Sequence, residues 1–276
     1  MTRSHPTTEP VTGPKGLMAI DLQLDGKRAL ITGAGQGVGQ SIAQMLADAG
    51  VHVLVNDYVP ERATSVASAI EQAGGRAEPV PFDVTDFDAV RERIEAIGKV
   101  DILVNNAGNA GPEGWTASLL FVETRPPDWS RYVDVNLYGV MNCVHAVLPG
   151  MIESRWGRIV TIVSDAARSG VARMAAYCAA KAGAAGFGRG IAHEVARHGI
   201  TVNNVSLGTI RTPVSEAFWA DPEQAEQQKA LLNGYLVRRP GEPGDVAWLV
   251  TSLVSPLASW VTGQTIPVNG GHSFAL

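Results

Sequence analysis

The sequence has few cysteines and no long uninterrupted apolar stretch. Its 276 residues include only Cys143 and Cys178, whose spacing fits neither a metal-binding nor a redox motif, and reduced thiols in a cytoplasmic protein are the simplest interpretation. No apolar run reaches the roughly 18 residues that a membrane span requires. The N-terminal residues do not follow the charged-then-apolar layout of a signal peptide. We therefore predict a cytoplasmic protein without a membrane partner and without a metal site.

An excess of charge of one sign is also missing. Lys and Arg total 22 against 27 Asp and Glu, which gives a formal net charge of −5, and no run of like charges occurs. This balance argues against nucleic acid as the main partner. Hydrophobic residues make up 45% of the chain, which is enough to fill the core of one large α/β domain.

Short β-branched or aliphatic runs alternate with longer helical patterns along most of the chain. Such alternation predicts an α/β fold, with a parallel sheet covered by helices on both faces. Residues 1–24 are rich in Thr, Pro and Gly and are predicted to be a mobile tail, so the domain covers 25–276. Less regular stretches at 108–129 and 207–235 are predicted substrate loops at strand ends. The predicted strands are 29–32, 51–56, 77–82, 102–105, 158–163, 201–205 and 264–268.

Tyr177 and Lys181 stand four residues apart in an Ala- and Gly-rich stretch that is typical of a helix, and Ser164 lies upstream. Side chains at i and i+4 share one helix face, so the ammonium can approach the phenol and favour its ionised form. A free phenol has a pKa of about 10, too high for a base at neutral pH. The three residues indicate a proton-transfer site. The alternative is a half-buried ring beside a solvated charge, which this spacing often produces.

A glycine-rich turn, Thr32-Gly33-Ala34-Gly35-Gln36-Gly37-Val38-Gly39, joins the first predicted strand to the first helix. Glycine lets the backbone approach a phosphate, and the first N–H groups of the helix favour an anion. Asp57 ends the second strand, where a carboxylate accepts hydrogen bonds from an adenosine ribose and repels a 2′-phosphate. We therefore predict NAD rather than NADP, with Arg62 facing solvent. A turn without a ligand and a helix N-cap role for Asp57 are the alternatives.

These motifs, in this order, closely resemble the short-chain dehydrogenase/reductase superfamily. The resemblance implies a single-domain Rossmann-type doubly wound sheet of about seven parallel strands, and an NAD-dependent alcohol dehydrogenase or ketoreductase. It also implies a homotetramer, with the helices containing Asn136 and Tyr177 at one interface and the last strand near Trp260 at another. The resemblance runs from about Lys27 to the C-terminal end and rests on 32–39, Asn105-Asn106-Ala107-Gly108, Asp83-Val84, Asn136, Ser164, Tyr177, Lys181, Thr209-Ile210-Arg211-Thr212 and 263–271.

The resemblance further implies a role for each catalytic residue. Tyr177 would be the acid/base, and Lys181 would lower its pKa and hold the nicotinamide ribose. Ser164 would position the substrate oxygen, and Asn136 would complete a proton relay through Lys181. The implied cofactor contacts are Gly33, Gln36, Gly37, Val38, Gly39, Asp57, Asp83, Val84, Asn106, Ala107, Gly108, Tyr177, Lys181, Gly208, Ile210 and Thr212.

One position departs from the family pattern, because Leu207 stands where a proline is usual before Gly208. A leucine in place of proline leaves the turn less rigid and adds a side chain within reach of the nicotinamide or the substrate. Trp115, Leu119, Phe121 and the stretch 214–219 are expected to border the substrate site, which suggests a bulky secondary alcohol or ketone such as a hydroxyacyl-CoA, a cyclic alcohol or a steroid. Arg168 and Arg173 are expected to be solvated, with binding of a carboxylate or of acyl-CoA phosphates as the alternative.

Two other functions are compatible with the same fold. A sugar epimerase or dehydratase would need an added C-terminal substrate domain, for which the chain has little room. A non-catalytic dinucleotide-sensing or scaffold protein would have no need of the Ser164, Tyr177 and Lys181 set.

Overall fold

The computed structural model describes residues 21–108 and 120–274, and its centre is a seven-stranded sheet. Every neighbouring pair of strands is parallel, and the order across the sheet is β3-β2-β1-β4-β5-β6-β7. The doubly wound parallel sheet predicted from the sequence is confirmed. The strands are β1 (Arg28–Ile31), β2 (His52–Val55), β3 (Arg76–Pro79), β4 (Ile102–Asn105), β5 (Gly157–Ser164), β6 (Ile200–Leu207) and β7 (Thr265–Val268).

Helices cover both faces of this sheet. Alternate side chains of one strand point to opposite faces, so Ala29 and Ile31 pack in one core cluster and Leu30 in the other. The first cluster includes helical residues in 42–47, 63–70 and 246–253, and the second includes helical residues in 90–94, 140–151 and 184–195. The helices are α1 (Gly37–Asp48), α2 (Pro60–Gln72), α3 (Phe87–Ile97), α4 (Pro126–Val133), α5 (Gly139–Ser154), α6 (Ala166–Ser169), α7 (Ala175–Val195), α8 (Glu216–Ala220), α9 (Ala225–Leu232) and α10 (Pro243–Leu253).

The strand order reverses at β1, which pairs with β2 on one side and with β4 on the other. The loops that leave the carboxyl ends of β1 and β4 therefore separate and leave a crevice, the usual ligand site of such sheets. Both the glycine-rich turn and Asn105-Asn106-Ala107-Gly108 lie at this point of the sheet. Several strands were predicted with small boundary errors, since β6 continues through Leu207 and β3 ends at Pro79 instead of residue 82.

The predicted boundary of the N-terminal tail lies too late in the chain. Leu24 is only 1% exposed and belongs to the core, and Leu22 packs against the same cluster. The carbonyl of Leu22 also accepts a hydrogen bond of 2.8 Å from Ser255 Oγ. Residues 21–24 are thus part of the packed domain, and residues 1–20 lie outside the described residues.

One continuous helix, Pro126–Ser154, joins α4 to α5 through a π-helical turn at Asp134–Tyr138. Among the described residues it alone is long and apolar enough to cross a membrane, on length and composition, although the sequence suggested no such segment. Its residues Cys143, Val144 and Val147 are buried in the second core cluster against the sheet. Core helices pass the same test, so the length of this helix carries no membrane assignment.

Candidate active site

The glycine-rich turn folds so closely that several of its positions exclude any side chain. A Cβ on Gly39 would lie 2.4 Å from both the carbonyl oxygen of Gly33 and Asn106 Nδ2. Gly33 has φ +61°, a left-handed conformation that favours glycine, and its Cβ would lie 2.9 Å from Ala107 Cα. The backbone N–H groups at the start of α1 are consequently open to the crevice, which suits the binding of a phosphate.

Side chains from the neighbouring strand ends hold this turn in place. Thr32 Oγ1 accepts hydrogen bonds from the backbone N–H groups of Asn106 and Ala107, at 3.0 and 3.1 Å. Asn106 Nδ2 in turn donates to the carbonyls of Thr32 and Gly33, at 3.0 and 2.9 Å. The two loops at the switch point are therefore locked to each other by a mutual set of hydrogen bonds.

Asp57 lies just after β2 and is 6% exposed. Its Oδ2 accepts from the backbone N–H of Gly35 at 3.1 Å, and its Oδ1 accepts from that of Val59 at 2.9 Å. Each carboxylate oxygen can accept a further hydrogen bond, so these contacts orient the group and leave capacity for a ligand hydroxyl. Arg62, expected to face solvent, is exposed and also lines the crevice beside Asp57.

A cleft of about 680 Å³ follows the switch point. Of the predicted cofactor contacts, those that line it are Gly33, Gln36, Gly37, Val38, Asp57, Asp83, Val84, Asn106, Ala107, Gly108 and Thr212. Asn56, Tyr58, Arg62, Phe82, Thr85, Arg131, Asp134, Val135, Pro213 and Val214 also line it and were not predicted as cofactor contacts. Most of these follow a strand end or face the cleft from α4 and the π turn, so only their position in the fold identifies them.

Asn136 is fully buried in the π turn, and its Nδ2 donates to the carbonyl of Tyr132 at 2.8 Å. Single π turns inside α-helices frequently mark functional sites. A Cβ on Gly108 would lie 3.0 Å from Asn136 Oδ1 and 3.0 Å from Lys181 Nζ. An acceptor and a cation therefore border the small space above Gly108, which is kept open by the missing side chain.

Lys181 is 5% exposed, and its Nζ donates a hydrogen bond of 2.9 Å to the carbonyl of Ile162 in β5. Burial lowers the pKa of Lys181 to about 8. The ammonium is thus anchored to the strand that ends in Ser164, one helical turn along α7 from Tyr177.

Burial raises the pKa of the Tyr177 phenol, while its hydrogen bond with Ser164 lowers the pKa and the nearby Cys178 raises it. The sequence suggested that Lys181 lowers this pKa, but desolvation of the phenolate has the largest effect and the pKa is raised. The ring of Tyr132 meets the ring of Tyr177 edge-on, with centroids 6.1 Å apart. Sequence spacing gave no signal for this aromatic contact.

The structure brings Ser164, Tyr177, Lys181 and Asn136 together from β5, α7 and the π turn, as the motif order suggested. Of the predicted cofactor contacts, Gly39, Tyr177 and Lys181 do not line the cleft, and Gly39 supports the turn. Gly208 and Ile210 instead line a neighbouring cavity of about 500 Å³, together with residues of α10 and β7. Trp115 and Leu119, expected at the substrate site, lie outside the described residues.

The side chain of Leu207, expected within reach of the nicotinamide or the substrate, is half-buried and packs against the first core cluster. The turn after it is fixed by a different contact. A Cβ on Gly208 would lie 3.0 Å from both Tyr235 Cε1 and Asn269 Cα. Glycine at 208 therefore lets the turn pass close to the Tyr235 ring and to the backbone of Asn269.

Comparison with known proteins gives consistent results. The family model of short chain dehydrogenase matches residues 27–223. The chain is 37% identical over 257 residues to the 3-oxoacyl-(acyl-carrier-protein) reductase of Vibrio cholerae serotype O1, with 91% of this chain and 98% of that protein covered.

Two solved structures share both the fold and the sequence pattern. A 7α-hydroxysteroid dehydrogenase complexed with NADH and 7-oxo glycochenodeoxycholic acid has a TM-score of 0.81 and 36% identity, over 91% of this chain and 96% of that one. A gluconate 5-dehydrogenase from Burkholderia cenocepacia J2315 in complex with NADP and tartrate has a TM-score of 0.83 and 32% identity, over 93% and 98%. These two relatives hold different nicotinamide dinucleotides, so the similarity does not separate NAD from NADP.

Proposed function

Because the chain belongs to the short-chain dehydrogenase family, an oxidoreductase family acting on alcohols and ketones, we propose that it interconverts a secondary alcohol and a ketone with NAD(H). The observation that carries this proposal is the convergence of Ser164, Tyr177 and Lys181 beside the cleft at the switch point. A protein that only senses a dinucleotide has no use for a buried phenol bonded to a serine hydroxyl.

The dinucleotide fits this chain, since glycines at 33 and 39 let the turn pack closely and glycine at 108 keeps open the space beside Lys181. The N–H groups at the start of α1 would bind its phosphates, Asp57 its adenosine ribose and Lys181 its nicotinamide ribose. A bound nicotinamide supplies the hydride acceptor for oxidation and the hydride donor for reduction.

Tyr177 transfers the proton in this reaction. In oxidation the phenolate removes the hydroxyl proton of the alcohol, and in reduction the phenol returns it to the ketone oxygen. The Ser164 hydroxyl orients the substrate oxygen towards the phenol. Lys181, charged below its pKa of about 8, stabilises the phenolate. Asn136 Oδ1 holds a water molecule in the space beside Gly108, and the proton leaves through this water.

We infer NAD rather than NADP from the carboxylate of Asp57. This buried carboxylate accepts hydrogen bonds from the backbone N–H groups of Gly35 and Val59. It would repel a 2′-phosphate and accept a hydrogen bond from a ribose hydroxyl. Arg62 beside it would favour NADP, so the two side chains have opposite effects on the cofactor preference.

The resemblance to the family supports a cytoplasmic homotetramer, and exposed apolar side chains support the two proposed interfaces. Trp260 is 98% exposed and Trp248 is also exposed next to the edge strand β7, while Tyr138 and Met141 are exposed along Pro126–Ser154. Large exposed apolar side chains on one face commonly mark protein contacts. The substrate would be a fairly bulky secondary alcohol or ketone such as a hydroxyacyl-CoA, a cyclic alcohol or a steroid.

A panel of secondary alcohols and ketones, assayed with NAD(H) and with NADP(H) by the absorbance of the reduced cofactor, tests this function. Tyr177→Phe should lower kcat by about 10³-fold, since general acid–base catalysis contributes about 10²–10⁴-fold. NAD binding, followed by cofactor fluorescence, should persist in this variant. A wild type that binds NAD and turns over no compound would instead favour the sensing protein, and a variant retaining more than a few per cent of the rate would remove Tyr177 from its role.

Asp57→Ala tests the cofactor preference separately. Loss of the ribose acceptor should weaken NAD by about tenfold, and loss of the negative charge beside Arg62 should improve NADP, so the ratio of kcat/KM values shifts towards NADP. Arg62→Ala is the reciprocal control and should leave NAD unaffected. An unchanged ratio in Asp57→Ala would show that the ribose binds elsewhere.

A further inference from the structure

A buried carboxylate follows Ser164 directly and has no part in the chemistry described above. Asp165 is 3% exposed, and its backbone N–H donates to the carbonyl of Leu207 at 2.9 Å. Its Oδ1 accepts a hydrogen bond of 2.6 Å from Ser206 Oγ in β6. Arg168 Nη1 lies 4.0 Å from its Oδ1. The side chain therefore begins at the reaction centre and points into a polar cluster beyond β6.

The other partners of this carboxylate belong to residues 269–274, here called the C-terminal segment. Asp165 Oδ2 accepts from Asn269 Nδ2 at 2.5 Å and from Ser273 Oγ at 2.8 Å. Asn269 Nδ2 also donates to the Ser273 carbonyl at 2.8 Å, and Arg168 Nη2 donates to the carbonyl of Phe274. Contacts about a hundred residues apart in the chain thus join the Ser164 loop to the C-terminal segment.

The opposite side of the C-terminal segment packs on the loop that follows β6. The His272 ring stacks on Tyr235 at a centroid distance of 4.7 Å, and Val237 N donates to the Gly270 carbonyl at 2.9 Å. Tyr235 is bonded through its hydroxyl to Thr209. The C-terminal segment is therefore held between Asp165, the neighbour of Ser164, and Tyr235 in the stretch that follows β6.

A buried carboxylate is costly unless its oxygens are hydrogen-bonded, and a partly satisfied buried network is worse than an apolar core. Here three donors from two elements satisfy both oxygens. Hydrogen bonds to an ionised group are stronger than neutral ones, so the charge makes Asp165 a firmer anchor than a neutral side chain of the same shape.

We propose that Asp165 is a positioning residue that fixes the C-terminal segment beside Ser164, so that this segment forms one wall of the substrate site. This inference rests on the proposed function for the role of Ser164, and on the geometry alone for the anchor. Releasing the segment should loosen substrate binding more than it slows the chemical step, because Ser164, Tyr177 and Lys181 keep their own contacts.

The test exchanges the carboxylate of Asp165 and the amide of Asn269, which are hydrogen-bonded to each other. Asn269→Asp places two carboxylates against each other, whereas Asp165→Asn removes the charge and keeps the shape. The double variant Asp165→Asn with Asn269→Asp restores one donor opposite one acceptor. Asp86→Asn is the matched control, since Asp86 accepts from Ala89 N at the start of α3, where asparagine is an equally good cap.

Hydrogen exchange of peptides covering the C-terminal segment gives the first readout and needs no substrate. We expect exchange to rise about tenfold in Asn269→Asp and less in Asp165→Asn, with recovery in the double variant and no change in Asp86→Asn. Unchanged exchange in both single variants, or a double variant no better than the worse single one, would overturn the anchor.

Steady-state kinetics give the second readout. KM for an alcohol substrate should rise about tenfold in Asn269→Asp, while kcat falls less than threefold and NAD affinity stays within twofold. A loss confined to kcat, or an unchanged KM, would remove the segment from the substrate wall. A wild type without turnover would remove the proposed function, and hydrogen exchange would still decide the anchor. If Asn269→Asp fails to fold, Asp165→Asn carries the same comparison at lower amplitude.

Discussion

Lys181 and Arg211 are cations in two regions at the same edge of the sheet, the reaction centre and the lid segment (residues 209–235), and their surroundings differ. Lys181 is buried, and its pKa falls to about 8 because the charge is desolvated. Arg211 forms a paired contact with Glu216, at 2.9 and 2.6 Å, and its hydrogen bond to this carboxylate raises its pKa. Burial therefore disfavours the charge of Lys181, whereas the charge of Arg211 is stabilised by a carboxylate within the protein.

The remaining contacts in the two regions follow the same division. The reaction centre and the cofactor turn are built from close backbone approaches and from amide side chains that bond to carbonyls, as with Asn106 and Asn136. The lid segment has exposed apolar side chains such as Val214 and Leu236, and its ion pair is at the surface. The cofactor turn thus has a fixed geometry, whereas the lid segment is held by surface contacts.

Of the substitutions that test this contrast between the two regions, Gly108→Ala should have the largest effect on activity. The added Cβ would lie 3.0 Å from both Asn136 Oδ1 and Lys181 Nζ and would fill the space between them. We expect kcat/KM to fall about 10- to 100-fold, since small misplacements in a reaction centre cost up to about 10²-fold, with thermal unfolding nearly unchanged.

Gly150→Ala is the matched control for this substitution. Gly150 lies in α5 with no heavy atom within 4 Å of the added Cβ, so activity should not change, and an alanine inside a helix stabilises by about 0.5–1 kcal/mol. A Gly108→Ala enzyme within twofold of wild type would show that nothing of importance occupies the space above Gly108.

The features that the sequence predicts are those that depend on short local motifs. Gly33, Asn106 and Lys181 occur in short motifs whose spacing carries the geometry, so the turn and the proximity of Ser164, Tyr177 and Lys181 follow from local pattern. The Asp165 contact with Asn269 joins positions 104 residues apart, and neither residue type signals the other. Leu24 and Leu207 were assigned to a tail and to the ligand site because local composition does not reveal which core cluster a side chain reaches.

The buried charge of Lys181 should be visible in the pH dependence of stability. The folded pKa of about 8 lies below the ordinary 10.5, so between these values the unfolded chain binds more protons and the free energy of unfolding rises with pH. Below pH 8 the desolvated charge costs about 3 kcal/mol.

Lys181→Met removes this charge. At pH 7 it should stabilise the protein by about 2 kcal/mol, after about 1 kcal/mol is subtracted for the lost hydrogen bond to Ile162, and it should abolish turnover. Denaturant unfolding at several pH values measures the gain, which should shrink as the pH rises from 8 towards 10.5. A variant less stable than wild type at pH 7 would show that the ammonium is solvated in the folded protein.

Glu216→Gln should have the smallest effect, because the lid ion pair is exposed and water screens it. The glutamine still accepts one hydrogen bond from Arg211, so the unfolding temperature should stay within about 1 °C and KM within about threefold, with kcat unchanged. Asp245→Asn, which breaks the surface pair with Arg239 outside the lid segment, is the matched control. A tenfold fall in kcat in Glu216→Gln but not in Asp245→Asn would show that the lid segment has a fixed geometry during catalysis. The lid segment and the buried reaction centre would then differ only in solvent exposure.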